Sequence, residues 1–230
     1  MAPDSPFSAV ETWIFDLDNT LYPANGQLFR QVERRIGEFV ALILDVGPEE
    51  ARKVQKGYLR DHGTTLRGLM TVHGVEPAPF LDYVEQIDLS ELPDGARLDA
   101  ALKTLPGRKL VYTNASRHHA GRVLDHLGVG DHFEAIHDII DADYVPKPDP
   151  APFAAMIQMH RIEPSSAAMI EDIARNLKPA ADLGMKTIWV KGSPDWAADG
   201  AGEDHIHHVA ADLLSFLQTL AGRGDPPARG

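Results

Sequence analysis

Chemically versatile side chains stand just beyond short apolar runs of the sequence. Asp16 and Asp18 follow Glu11-Thr12-Trp13-Ile14-Phe15, and Thr113 and Asn114 follow Lys109-Leu110-Val111-Tyr112. Lys147 lies in Val145-Pro146-Lys147-Pro148-Asp149-Pro150, and Glu171-Asp172 close the run Ala167-Ala168-Met169-Ile170. Two residues apart, Asp16 and Asp18 share a side of an extended segment. In chain order the set is two carboxylates, a hydroxyl, an ammonium and two further carboxylates, which are the parts phosphoryl transfer needs. A carboxylate can attack phosphorus to give an acyl phosphate, and a second carboxyl can protonate the leaving oxygen and later activate water. A hard cation can hold the first carboxylate beside the anionic phosphate. Magnesium suits such oxygen ligands, and without it the clustered carboxylates repel each other and the substrate. Lys147 and the donors at Thr113 and Asn114 complete the neutralisation.

These residues need a scaffold that gathers strand ends. β-favouring runs at 11–15, 109–112, 135–140, 167–170 and 187–190 alternate with helical patterns. One helix is expected at 118–127, closed by Gly128. A second is expected after the N-cap Asp149, with Pro150 at its first position, and a third at 177–183, closed by Gly184. Strand-helix alternation implies a doubly wound, parallel α/β sheet, in which ligands bind outside the carboxyl ends of the strands. Residues 22–93 interrupt the alternation with no convincing strand. Val32, Ile36, Phe39, Val40 and Ile43 recur at helical spacing, Pro48-Glu49-Glu50 opens another helix, and 79–87 suggests one more. The expected division is therefore an α/β core from 1–21 and 94–221, a helical cap from 22–93, and a Gly- and Pro-rich disordered tail from 222–230.

With those motifs assembled, the chain resembles the haloacid dehalogenase superfamily of phosphohydrolases over nearly its whole length. The resemblance is carried by Asp16-Leu17-Asp18-Asn19-Thr20-Leu21, Thr113-Asn114, Lys147-Pro148 and Glu171-Asp172. It implies a Rossmann-like core with a C1-type helical cap that closes over the site and selects the substrate. It further implies Asp16 as nucleophile and Asp18 as general acid and base. Thr113 and Lys147 would bind phosphate, and Mg2+ would be held by Asp16, the Asp18 carbonyl, Asp172 and, through water, Glu171. The segment from Tyr58 to Leu69, with the pairing Asp18-Asn19 followed by Leu21-Tyr22, is similar to the pyrimidine 5′-nucleotidase branch. That similarity implies a nucleoside monophosphate such as UMP or CMP as substrate, with Asn19, His62, Arg67 and Asn114 as candidate contacts. Phe29 and Tyr58 offer a stacking face, although aromatics at helical spacing more often form cap core.

Alternatives on the same fold are a phosphatase for phosphoglycolate or a sugar phosphate, a phosphomutase, and a dehalogenase, against which Asp18 argues. A non-catalytic binding protein would be expected to lack at least one of Asp16, Asp18, Lys147 or Asp172. Composition narrows the field further. A net charge of −12 disfavours nucleic-acid binding, and no cysteine is present to form disulfides or act as a nucleophile. No apolar run approaches membrane-spanning length and the first residues do not read as a secretory signal, so a cytoplasmic chain is expected. No partner protein is implied.

Several other residues have plainer readings. His205, His207 and His208 form a dense cluster that we read against zinc, because no carboxylate or cysteine partner stands at ligand spacing beyond a loose Glu203-Asp204. His118 and His119 begin a helix close to the site, where either could touch substrate, although surface helix residues are the plainer reading. Asn176 reads equally as loop support or as the cap of the helix that follows. Arg223-Gly224-Asp225 matches an adhesion tripeptide by letter only.

Overall fold

The structure, a computed structural model, describes residues 6–23, 27–192 and 195–222. The readings of the first residues and of the tail therefore fall largely outside the described residues. Six parallel strands form one sheet: β1 (Thr12–Phe15), β2 (Arg108–Tyr112), β3 (Ala135–His137), β4 (Ala167–Glu171), β5 (Lys186–Val190) and β6 (His208–Ala210). Their order is β3-β2-β1-β4-β5-β6, with β1 central. From β1 the chain builds outward in both directions, so the crevice beyond the carboxyl ends of β1, β2 and β4 is the topological switch point.

Burial on both sides of the sheet explains why the strands are uninterrupted apolar runs. Trp13 and Phe15 join one hydrophobic cluster and Ile14 the other, as the two-residue period requires. The Trp13 face is covered by α5 (Ala96–Thr104), α6 (Arg117–Leu127) and α9 (Leu213–Leu220). The Ile14 face is covered by α7 (Pro150–His160) and α8 (Lys178–Asp182). Asp149 caps α7 through Ala151 N, with Pro150 in the first turn, as expected from the sequence.

Two expectations along this part need correction. The strand expected over 135–140 stops at His137, because Asp138 Oδ1 accepts from the backbone N–H groups of Ile140 and Asp141 and turns the chain. The sixth strand, only three residues long, is too short to leave a periodicity signal.

Among the described residues of the interrupting stretch stand four helices: α1 (Gln27–Leu44), α2 (Pro48–His62), α3 (Thr65–His73) and α4 (Pro77–Val84). They enclose their own cluster of Phe39, Val40, Ala51, Leu66, Leu69, Phe80 and Val84. The last helix begins at Pro77 and ends at Val84, earlier than the 79–87 expected, because Pro77 takes the first-turn position that Pro suits. Helix α3 was not anticipated; Thr64 caps it through Arg67 N. Gly68 is required there, since a Cβ would lie 2.3 Å from Tyr58 Cγ. The return to the core is tied by Arg122 of α6, which donates to the carbonyls of Glu85 and Ile87, and by a reciprocal pair of hydrogen bonds between Gln31 and Asp88. No helix among the described residues is long and apolar enough to cross a membrane.

Under α7, the His137 ring packs edge-on between Tyr112 and His160, and neither ring nitrogen has a hydrogen-bond partner among the described residues. Burial lowers its pKa from 6.5 to about 4. Between those values the unfolded chain binds the extra proton, so the stability tied to His137 is complete above pH 6.5 and is lost as pH falls towards 4. The thermal midpoint of the wild type should therefore decline more steeply through that window than that of His137→Phe. Equal slopes would remove His137 from the account.

Candidate active site

Lys147 is the centre of the site. Its ammonium, buried among three strand ends, donates to Asp16 Oδ1 at 2.7 Å, to Glu171 Oε2 at 2.7 Å and to the Tyr112 carbonyl at 3.0 Å. One lysine thereby joins the carboxyl ends of β1, β4 and β2. Its own backbone is fixed by the N–H donating to Asn114 Oδ1 at 2.9 Å, and its bond to Pro148 is cis. The other oxygen of Asp16, Oδ2, accepts from the Thr20 hydroxyl at 2.9 Å, so the carboxylate is held at both ends.

The turn that returns Thr20 passes through Asn19 at φ 66°, a left-handed conformation that asparagine tolerates better than most residues. Asn19, expected as a substrate contact, is not among the residues lining the cavity above the site. Thr113 Oγ1 accepts from Ala115 N, shaping the loop after β2. At the end of β4, Glu171 Oε1 accepts from Ile173 N, and the Asp172 carbonyl accepts from Trp189 Nε1 at 2.7 Å. Asn176 is buried in a single 3-10 turn. The following α8 has Leu177 at its N-cap with no side-chain cap, so Asn176 does not cap that helix.

Charge in this site is out of balance. Burial opposes the charge of Lys147, but Asp16 and Glu171 outweigh it and push the ammonium well above its usual pKa. Burial, then the charge of Glu171, raises Asp16 from 3.8 to about 7 despite Lys147. Glu171 rises from 4.5 to about 7, again chiefly through burial. One ammonium serves two buried carboxylates with Asp172 alongside. Asp16, Glu171 and Asp172 each offer a carboxylate oxygen, the three lying within 4.8 Å of one another. Buried, hard and converging, these donors fit a divalent cation, whose charge would complete the neutralisation.

Asp18 has a contrasting environment. Burial favours its neutral form, yet the charge and hydrogen bond of His119, with the Tyr22 hydroxyl, hold its carboxyl below the ordinary value. Tyr22 Oη donates to Asp18 Oδ1 at 2.5 Å, and His119 Nε2 lies 2.9 Å from the same oxygen. His119 is therefore not a surface residue: it is 4% exposed, positioned by Ser116, the N-cap of α6, whose Oγ accepts from His119 N. Sequence spacing could not pair positions 18 and 119; the only signal was two histidines opening a helix beside a strand end.

A cavity of about 890 Å³ opens between this region and α1–α4, within the range of small-molecule sites. Asp18, Tyr22, Asn114 and His119 stand at its core end, while Phe29, Ile36, Arg52 and Gln55 are among those on the helical side. His62 and Arg67 are not among its lining residues. His62 packs edge-on against Tyr58, whose hydroxyl pairs with His73, so Tyr58 belongs to the helical cluster. The turn after His62 nonetheless reaches the site loop, since a Cβ on Gly63 would lie 3.0 Å from Pro146 Cγ. His205 and His207 are engaged elsewhere, with the Ala174 carbonyl and with Thr187.

The family profile described as haloacid dehalogenase-like hydrolase matches residues 10–184, from just before β1 to just after α8. The chain belongs to this family of hydrolases. It is similar to phosphate metabolism protein 8 of Saccharomyces cerevisiae, 28% identical over 201 residues. The match covers 80% of this chain but only 62% of that relative. Among solved structures it is similar to the HAD-hydrolase YfnB from Bacillus subtilis bound to magnesium, with a TM-score of 0.61 and 16% identity over 92% of this chain and 98% of that one. It is also similar to 2-haloacid dehalogenase from Pseudomonas syringae pv. Tomato DC3000, with a TM-score of 0.56 and 19% identity over 93% and 99%. At these identities the likeness concerns the fold alone.

A cation that binds the folded hydrolase and not the unfolded chain must stabilise it, by about 2.7 kcal/mol at a hundredfold excess over Kd. Magnesium should therefore raise the thermal midpoint of the wild type, and Asp172→Ala should abolish the rise. A rise of equal size in both proteins would place the ion elsewhere.

Proposed function

We propose that this hydrolase is a magnesium-dependent phosphomonoesterase working through an aspartyl-phosphate on Asp16. The observation that carries the reading is the buried Asp16 carboxylate, oriented by Lys147 and Thr20 beside two further acidic groups, with a second, separately held carboxyl at Asp18. Asp16 attacks phosphorus while Asp18 gives a proton to the departing oxygen; Asp18 then takes a proton from the water that cleaves the acyl phosphate. Lys147, Thr113 and the backbone of their loops meet the phosphate oxygens. Mg2+ held by Asp16, the Asp18 carbonyl and Asp172, with Glu171 behind, would supply the charge that keeps Asp16 ionised and offsets the incoming phosphate.

The charge preferences of the two aspartates suit this division only with substrate and cation considered. A cation lowers the pKa of Asp16 towards the ionised nucleophile, and an anionic phosphate raises that of Asp18 towards the proton-bearing acid. Once the leaving group has gone, the His119 and Tyr22 contacts favour Asp18 as a base, which the hydrolytic step requires.

Residues 22–93 act as a cap over the crevice, and the cavity beneath them receives the leaving group. Pyrimidine nucleoside monophosphates are the favoured substrates. The cavity has room for a nucleoside, with the Phe29 ring on its wall and Asn114 Nδ2 and Gln55 Oε1 available for polar groups. A small metabolite such as phosphoglycolate would leave much of that space unfilled. Asp18 and its two donors argue against carbon–halogen cleavage, which has no leaving oxygen to protonate.

Phosphate release from UMP, CMP, AMP, phosphoglycolate and a sugar phosphate, with magnesium and with a chelator, tests the reading. Pyrimidine preference lost on chelation is expected. Asp16→Asn should remove essentially all turnover while its circular dichroism spectrum remains that of the folded chain. Most activity surviving in that variant would sink the covalent route.

A further inference from the structure

Both hydrogen bonds to Asp18 converge on one oxygen. Tyr22, four residues on in the same turn, donates to Oδ1 at 2.5 Å, and His119 reaches it at 2.9 Å from another helix. A carboxylate oxygen has only lone pairs to offer, so the His119 Nε2 facing it carries the hydrogen. Among the described residues no donor falls on Oδ2. Tyr22 and His119 are themselves 6% and 4% exposed, so neither can swing away into solvent, and Ser116 fixes the backbone from which His119 projects. The Asp18 side chain is by contrast one-third exposed and lines the cavity. The arrangement is a short, exposed carboxyl gripped from behind by two buried, rigid donors.

We propose that Tyr22 and His119 are positioning residues that orient Asp18 so that Oδ2 alone carries the transferring proton. The inference rests on the phosphatase reading above. In the first half-reaction the Asp16 oxygen bonds to phosphorus as the ester P–O bond breaks, and the proton on Asp18 Oδ2 passes to the departing oxygen. In the second, water oxygen bonds to phosphorus, one of its protons passes to Oδ2, and the bond from phosphorus to Asp16 breaks, restoring both carboxyl groups. Without the grip on Oδ1 the carboxyl rotates about χ2, and the proton spends much of its time away from the reacting oxygen. The loss should weigh most on substrates whose leaving oxygen must be protonated to depart.

The test is kcat/KM for substituted phenyl phosphates graded by leaving-group acidity, because this constant reports the steps up to departure of the phenol. Wild type, Tyr22→Phe, His119→Leu and His119→Gln are compared, with melting transitions recorded for each. Tyr22→Phe deletes one hydroxyl and His119→Gln returns a donor near the position of Nε2. Tyr22→Phe and His119→Leu should lose about 10- to 100-fold on the least acidic phenol and under about 3-fold on the most acidic, the scale expected of an impaired general acid. The fall should lie in kcat with KM little changed, and His119→Gln should recover most of it. Equal losses across the series, or a His119→Gln no better than His119→Leu, would overturn the proposal. Should His119→Leu fail to fold, the Tyr22→Phe slope decides alone. Failure of the underlying reading looks different: the wild type releases no phosphate from any ester, or Asp16→Asn stays active.

Discussion

The site depends on one buried ammonium. Lys147 donates to carboxylates from two strands and to a carbonyl at the end of a third, so its burial is tolerable only while all three strand ends are present together. A lysine in that position without them would leave a charge uncompensated in a dry interior, a cost of several kcal/mol. The fold supplies the strand ends by topology. Because β1 lies between β2 and β4 and all run parallel, their carboxyl ends open on the same crevice, and the loop after β3 is close enough to deliver Lys147 into it.

From that constraint follows the separation of the two aspartates. Asp16 ends the central strand and is drawn into the ammonium and acidic cluster, where burial and like charge raise its pKa. Two residues later the chain has begun to turn, with Asn19 in the left-handed region, and Asp18 is directed instead to Tyr22 and His119. Two carboxyl groups of identical intrinsic chemistry thus acquire opposite tendencies from their surroundings, a pattern by which acid, base and nucleophile roles are divided in many sites.

What was legible in the sequence were features that are local or tied to a strand end. The buried strands read as apolar runs because both faces of a parallel sheet are covered, and Asp149-Pro150 announced α7 through cap chemistry alone. Asp16, Lys147, Glu171 and Asp172, the groups the structure brings together, were findable because each lies at the end of such a run or in the loop after it. His119 was not, although it touches Asp18, because the two are 101 positions apart and meet only when α6 packs beside β1. The end of β3 was misjudged for the converse reason. Ile139 and Ile140 continue an apolar pattern, but the Asp138 carboxylate offers the backbone N–H groups of Ile140 and Asp141 a competing hydrogen bond that composition does not reveal.

The helices above the crevice illustrate why specificity is the least readable layer. Their hydrophobic cluster lies mostly among themselves, although Leu28 of α1 belongs to the core cluster, Val32 packs against both, and Tyr144 reaches the helices from the loop before Lys147. The helices therefore keep their internal packing while their contacts with the core stay few and local: Gly63 against Pro146, Arg122 and Gln31 on the returning strand of chain. The cavity wall is made partly from each side. Its shape is consequently a property of two packed units rather than of any motif, and residues such as Phe29 and Gln55 gain their meaning only from where that packing leaves them.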